Sequence, residues 1–182
     1  MPALKAWEGT VGQVEIREET SADVREISAV HDAAFGRRNE AQLVERLREE
    51  GRIAASLVAS DHGRIVANAV FSRLTVRSSG KPIAAAALAP VAVTPTRQSR
   101  GIGARIVRSG LALCAQRGYD IVIVLGDPQY YRRFGFSSEL AENVRSRYSN
   151  AGPAWMAMEL RVSNRPLTPC EVTYPAAFEE AD

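Results

Sequence analysis

Between Arg97 and Val107 the chain reads RQSRGIGARIV. Gly101 and Gly103 stand one residue apart at the head of an apolar pattern of helical period, with Arg97, Arg100 and Arg105 around them. A strand feeding a glycine turn that opens a helix is suited to holding a phosphate. The first helical N–H groups have no partner inside their own helix. The helix dipole adds partial positive charge there, and glycine lets the backbone approach an anion with no Cβ in the way. Two other phosphate motifs fail. A P-loop needs a Gly-Lys-Ser/Thr that nothing after Gly101 or Gly103 supplies. The dinucleotide fingerprint needs a third glycine where Ile106 stands, and an acidic residue closing the next strand, which instead ends Val124-Leu125-Gly126. What fits is Gln-x-x-Gly-x-Gly, with Gln98, Gly101 and Gly103.

Other chemistries have little to work with. His31 and His62 are the only histidines, and Cys114 and Cys170 the only cysteines. They form no metal-ligand pattern and no disulfide framework, so no metal is expected and the thiols read as free in a reducing compartment. The 23 basic and 21 acidic residues nearly balance. That is no argument for a nucleic-acid partner, and none is expected. The longest apolar run, Ile83 to Val93, is too short to span a bilayer and contains a proline. MPALKAWEGT lacks the apolar centre of a signal peptide. No membrane association and a cytoplasmic location are therefore expected.

The elements that must position the turn can be read from periodicity. Val14 to Thr20 alternates apolar and charged residues, as a half-buried strand does. Ser21 and Asp23 can cap a helix reaching about Phe35, with Val24, Ile27, Val30, His31 and Ala34 on one face. A second helix runs from about Glu40 to Glu50, with Leu43, Val44 and Leu47 inward. Two strand-like runs flank Asp61-His62-Gly63, a hairpin signal, the second continuing through FSRLTV. SSGKP is another turn, and Ile83 to Val93 a buried strand. Ile106, Val107, Gly110, Leu111 and Cys114 mark the helix after the glycine turn, which Gly118 stops. Tyr119 to Gly126 reads as a central strand. Asp127 and Pro128 start a short helix that Gly135 ends. Ala154 to Val162 is a late strand, and Glu171 to Tyr174 a possible last one. The order β-α-α-β-β-β-α-β-α-β gives one α/β domain over 1–182. Its mixed, mostly antiparallel sheet is flanked by helices, with a single parallel unit from Ile83 to Leu125.

The glycine turn, the preceding LAPVAV and Thr94-Pro95, the helix behind it, and YYRRFGF after the next strand together resemble the GNAT superfamily of N-acetyltransferases. VLGDPQYYRRFGF has the form of the YhbS-type branch, with Gly126-Asp127-Pro128 where much of the superfamily carries an asparagine. The resemblance is clearest from Ile83 to Ser138. It implies an acetyl-CoA-dependent transfer of an acetyl group to a primary amine by direct attack in a ternary complex. It implies that the backbone of Val91 and Val93 bonds the pantetheine arm. The N–H groups of Gln98, Ser99, Arg100, Gly101, Ile102, Gly103 and Ala104 would cradle the pyrophosphate, with Arg97, Arg100 or Arg105 adding charge. Val91 would supply a backbone oxyanion donor and Tyr131 the general acid, while Tyr130 points elsewhere. Homodimers are common in the family.

The residues leave several matters open. Glu40 and Glu45 are candidate bases, each also readable as a surface carboxylate. His31 reads as a satisfied core histidine, and Trp155 and Met156 as core rather than acceptor-site residues. The alternative to an enzyme is a non-catalytic sensor or interaction module that holds acyl-CoA on the same fold.

Overall fold

The computed structural model describes residues 14–80, 82–161 and 168–180. MPALKAWEGT, Lys81 of the SSGKP turn and Val162 of the expected late strand lie outside them. The chain forms a six-stranded sheet in the order β1-β2-β3-β5-β6-β8. Its members are β1 (Val14–Glu18), β2 (Ile53–Asp61), β3 (Arg64–Arg73), β5 (Ala85–Val93), β6 (Ile121–Leu125) and β8 (Trp155–Glu159). Every pairing in it is antiparallel except β5 with β6, as expected. A second sheet, in the order β4-β9-β7, holds β4 (Thr75–Ser78), β7 (Val144–Arg145) and β9 (Cys170–Thr173). There β7 and β9 also run parallel, a second parallel pair that periodicity did not indicate.

Helices cover both faces of the large sheet. On one, α1 (Val24–Phe35) and α2 (Asn39–Glu49) bury Ile27, Val30, Leu43, Val44 and Leu47 against Val58 and Val70. On the other, α3 (Ile102–Gln116) buries Ile106, Val107, Leu111 and Cys114 against Ala69, Phe71 and Val122. The turn before α1 is closed by Thr20 rather than Ser21. The Thr20 N–H donates to Asp23 at 2.7 Å, and Asp23 is held in turn by both guanidinium nitrogens of Arg17 at 2.7 and 2.8 Å. The run FSRLTV is not one strand, because it breaks at Leu74. Leu74 donates to the Ala85 carbonyl at 3.0 Å, and the residues after it leave for the second sheet.

Strand β5 controls the shape of the site. Its ladder with β6 covers only Ala85–Ala87 opposite Ile121–Ile123. Opposite β3, Phe71 pairs with Leu88 while Ala69 pairs with Val91. Two residues, Ala89 and Pro90, therefore face the single Val70, which is a β-bulge. A bulge is also where a strand interior tolerates proline, which has no N–H for the ladder. The extra residue inverts the side-chain alternation. Before it, Ala86 and Leu88 face α3. After it, Val91 and Val93 do, and Ala92 turns toward α1 and α2. Among the described residues no helix is long and apolar enough to cross a membrane.

Candidate active site

Beyond Ala87 the edge of β5 that faces β6 is no longer paired with it. Backbone N–H groups alternate along a strand. The Thr94 N–H points to β3, donating to the Val66 carbonyl at 2.9 Å. By alternation Ala92 does the same, so the amides of Val91 and Val93 point the other way, into the opening. The Val93 carbonyl lies on that side too, where it accepts from Gln98 Nε2 at 3.0 Å. The Gln98 side chain thus pins the turn to the strand end. Its own N–H is directed back to the Pro95 carbonyl at 3.4 Å, so its contribution is to the turn's shape and not to a row of open amides.

The turn itself is built on two left-handed residues, Ser99 at φ 59° and Gly101 at φ 77°. Gly101 caps α3. The first intrahelical bond recorded there runs from the Arg105 N–H to the Gly101 carbonyl at 3.0 Å. The amides of Ile102, Gly103 and Ala104 precede it and have no carbonyl of their own helix to meet. Ile102 is buried and anchors the turn in the core. Gly103 is required for space, since a Cβ there would stand 2.9 Å from the Tyr130 hydroxyl and 3.5 Å from Val93 Cγ2.

These pieces enclose a groove of about 420 Å³. Val91 and Val93 form one wall, residues 97–99 and 101–104 the end, and Tyr130, Tyr131 and Arg133 the opposite wall. The opposite wall is α4 (Pro128–Tyr131) and the 3-10 turn Arg132–Phe134. Asp127 caps α4 by accepting from the Gln129 N–H at 2.9 Å, and Gly135 at φ 100° ends the turn, as expected. The two tyrosines diverge. Tyr130 reaches the glycine turn. Tyr131 lies against the end of β6, its ring so close to Gly126 that a Cβ there would be 2.4 Å from Cε2. Edge-on contact with Phe136, at 5.9 Å between ring centres, holds it from the other side. Burial, with a smaller effect of Tyr130, pushes the Tyr131 phenol up to about 12. Burial also raises Tyr130, against the lowering effect of Arg133 and Arg108.

The arginines of the turn have separate partners. Arg97 is ion-paired with Asp61 at 2.5 Å and ties the turn to the β2–β3 hairpin. Arg105 donates to the Val14 carbonyl at 3.2 Å. Arg100 is exposed. Arg133 was not among the sequence candidates. It stacks over the Tyr130 ring at 4.7 Å, and the i, i+3 spacing within YYRRF was the signal for it.

The base candidates are engaged elsewhere. Glu40 pairs with Arg37 at 2.6 Å, and Glu45 accepts from the Ser28 hydroxyl at 3.0 Å. Trp155 and Met156 are buried, Trp155 donating Nε1 to the Val144 carbonyl at 3.1 Å. His31 is fully buried and only half satisfied. Its Nε2 meets Asn68 Oδ1 at 2.9 Å, while Nδ1 has no partner among the described residues. Cys114 is a buried free thiol, pushed up to about 12 by burial.

Both the sequence and the fold have counterparts among known proteins. Residues 15–138 match the Acetyltransferase (GNAT) domain family. The sequence is 33% identical over 146 residues to the uncharacterized N-acetyltransferase YhbS of Escherichia coli K12, spanning 80% of this chain and 86% of that one. The crystal structure of Escherichia coli YhbS in complex with CoA superposes with a TM-score of 0.82 at 29% identity, over 96% of each chain. A GNAT family acetyltransferase from Brucella melitensis, in complex with acetyl-CoA, gives 0.73 at 32% identity, over 91% of this chain and 97% of that one. Sequence match and shared architecture agree: the chain belongs to the GNAT family of acetyltransferases.

Proposed function

We propose that this acetyltransferase moves an acetyl group from acetyl-CoA to a primary amine by direct attack, with both substrates bound together. The observation that carries the reading is the edge of β5 freed by the bulge. It leaves the backbone of Val91 and Val93 available to an extended amide-bearing chain, next to helix amides available to a phosphate. Pantetheine contains two amides and is joined to a pyrophosphate, so one ligand satisfies both features. The amides of Ser99 to Ala104 take the pyrophosphate, favoured by the α3 dipole. The pantetheine amides pair with Val91 and Val93 as an added strand would.

Three things must then happen at the thioester. The amine must be neutral to attack, which matters most for a lysine-like acceptor with a pKa of about 10.4. The carbonyl oxygen becomes an oxyanion, for which the Val91 N–H is the available donor. The C–S bond breaks, and the departing thiolate needs a proton. Tyr131 on the facing wall is the acid for that step; the attacking nitrogen sheds one proton to solvent as the amide forms, and an equivalent proton returns the phenolate to phenol. Its raised pKa keeps the phenol protonated throughout the working range. The burial that weakens it as an acid also raises the proton affinity of a thiolate leaving into the same opening. The buried, unbridged cysteines suit a reducing compartment and support a cytoplasmic location.

The test has two stages. A thermal-shift titration with acetyl-CoA, CoA, ATP and NAD is expected to show stabilisation by the first two alone, because a ligand of the folded state raises the melting temperature with occupancy. A panel of amines, scored by free thiol released from acetyl-CoA, then separates turnover from binding. Saturable binding with no amine turned over would favour the sensor role. No shift with either CoA ligand would refute the reading.

A further inference from the structure

We propose that Arg108 and Arg133 form a clamp for the 3′-phosphate of coenzyme A, which makes the protein discriminate CoA thioesters from their 3′-dephospho forms. This rests on the acyl-CoA reading above and adds the recognition of a second anion.

Coenzyme A carries two separate anionic groups. One is the pyrophosphate, with one charge on each phosphate. The other is a phosphomonoester on the ribose, whose charge approaches −2 at neutral pH. The glycine turn offers a single cluster of open amides. Of the nearby cations, Arg97 is already neutralised by Asp61. Arg105 donates to the Val14 carbonyl, and Arg100 is exposed without lining the groove. A further cationic feature is formed by Arg133 on the opposite wall and Arg108 on α3. The Arg133 guanidinium carbon lies 4.7 Å from the centre of the Tyr130 ring. The Arg108 guanidinium carbon lies 5.3 Å from the centre of the Phe134 ring. Those two rings meet edge to face with centres 5.4 Å apart. The two guanidiniums therefore flank one aromatic pair.

The pair is also tied to the groove. Arg133 lines it. Arg108 follows Ala104, another lining residue, by four positions and so shares its helix face. The Tyr130 hydroxyl, under Arg133, reaches Gly103 in the turn. Both arginines are exposed, and among the described residues neither has a carboxylate partner. A ring face restrains a guanidinium without cancelling its charge. What results is a pair of restrained planar donors carrying two positive charges, next to the pyrophosphate amides. Planar guanidinium forks match phosphate oxygens bidentately. A phosphomonoester dianion is their complement in charge.

Isothermal titration of CoA and 3′-dephospho-CoA into the purified chain tests this, with Arg133→Ala, Arg108→Ala and Arg133→Lys alongside. The wild type should bind CoA at least about tenfold more tightly than 3′-dephospho-CoA, the scale of one charge-assisted contact. Each alanine variant should lose most of that ratio by weakening CoA alone. Arg133→Lys, which keeps the charge but not the fork, should retain part of it. Equal affinities in the wild type would overturn the clamp. So would an Arg133→Ala variant that weakens both ligands alike, which would put the arginine on the pyrophosphate. A wild type that binds neither ligand would refute the acyl-CoA reading itself, and the clamp with it.

Discussion

The two ends of β5 are made of nearly the same residues and do opposite things. At Ala85–Ala87 the strand is zipped to β6 and all three side chains are buried. Four residues later, Val91 and Val93 are only partly covered, and their backbone faces an opening. Helix α3 follows the same gradient. Gly110 lies against Phe71 in the core, so close that a Cβ would stand 2.1 Å from the ring, while Gly103 lies at the groove against a tyrosine hydroxyl. One sheet–helix pair is thus close-packed at one end and open at the other. The bulge at Ala89-Pro90 is the point of change. Two glycines of one helix, seven residues apart, should therefore fail in different ways when replaced.

The largest effect is expected at the packed end. Gly110→Ala places a methyl inside the Phe71 ring, and overpacking of a closed core costs about 1–3 kcal/mol or more. The expected loss is near the top of that range, read as a lower urea midpoint with unchanged slope. A cost below about 1 kcal/mol would mean that the packed end can give way, and the contrast with Gly103 would weaken. At the open end Gly103→Val should leave unfolding nearly unchanged. Valine is no worse than glycine in a helix, and the Cβ would meet only side-chain ends, the Tyr130 hydroxyl at 2.9 Å and Val93 Cγ2 at 3.5 Å. Acetyl-CoA affinity should nevertheless fall roughly a hundredfold, the size of losing one or two charge-assisted contacts to the phosphate. Wild-type affinity in the folded variant would break the assignment of the turn.

Next comes the tyrosine facing the opening. Tyr131→Phe should keep acetyl-CoA affinity within about twofold and lower kcat by roughly a hundredfold, the lower end for loss of a general acid. The sign of the pH dependence follows from burial. With its phenol pushed up to about 12, Tyr131 stays protonated through pH 6–9. It should add no falling limb to the wild-type profile there, and any rise with pH reports deprotonation of the amine. Gly126→Ala is a sharper test of position, because the added methyl would displace the Tyr131 ring. It should lower kcat much as Tyr131→Phe does, although Gly126 carries no reactive group. Unchanged turnover in Gly126→Ala would mean that the ring's present position is unimportant.

The contrast between the two ends of β5 was only partly legible in the sequence. The α/β order, the parallel β5–β6 unit and the glycine turn follow from patterns of period 2 and 3.6 and from capping residues, which are local. The splay is not local. AAALAPVAV reads as one uniform buried strand, and only Pro90 hints at a bulge. Which edge of β5 is open depends on where β6 stops following it, information carried by neither strand alone. The break at Leu74 was hidden similarly, since FSRLTV keeps a strand-like pattern while changing sheets. At the site, Tyr131 was singled out by the resemblance of YYRRFGF to the family, and it lines the groove. The structural role of the Gln98 side chain and the pairing of Arg97 with Asp61 were not legible, because both depend on contacts across the fold.

The smallest effect is expected on the far face of the sheet, where a polar chain runs from the partly covered Arg48 and Glu19 to the buried Ser56, Asn68 and His31. Arg48 holds Glu19 with bonds of 3.1 and 3.0 Å, and Glu19 accepts from the Ser56 hydroxyl at 2.5 Å. Asn68 donates to Ser56 at 3.1 Å and to the Leu57 carbonyl at 2.8 Å, so its Oδ1 is left to accept from His31 Nε2. The proton of neutral His31 therefore sits on Nε2. A second proton would have to go on Nδ1, which has no acceptor among the described residues. Burial lowers the His31 pKa below its ordinary 6.5, outweighing the hydrogen bond to Asn68 and the charges of Glu40, Asp32 and Glu19, which act to raise it. The folded state thus binds fewer protons than the unfolded state once the pH drops below about 6.5, and stability falls as the pH falls further. His31→Gln keeps a donor for Asn68 without the titration. Urea unfolding at pH 8 and at pH 5 should show wild type losing more stability on acidification than His31→Gln, with little difference in slope above pH 7. Equal losses in the two proteins would mean that His31 can accept its second proton in place, and that the far face is looser than its packing indicates.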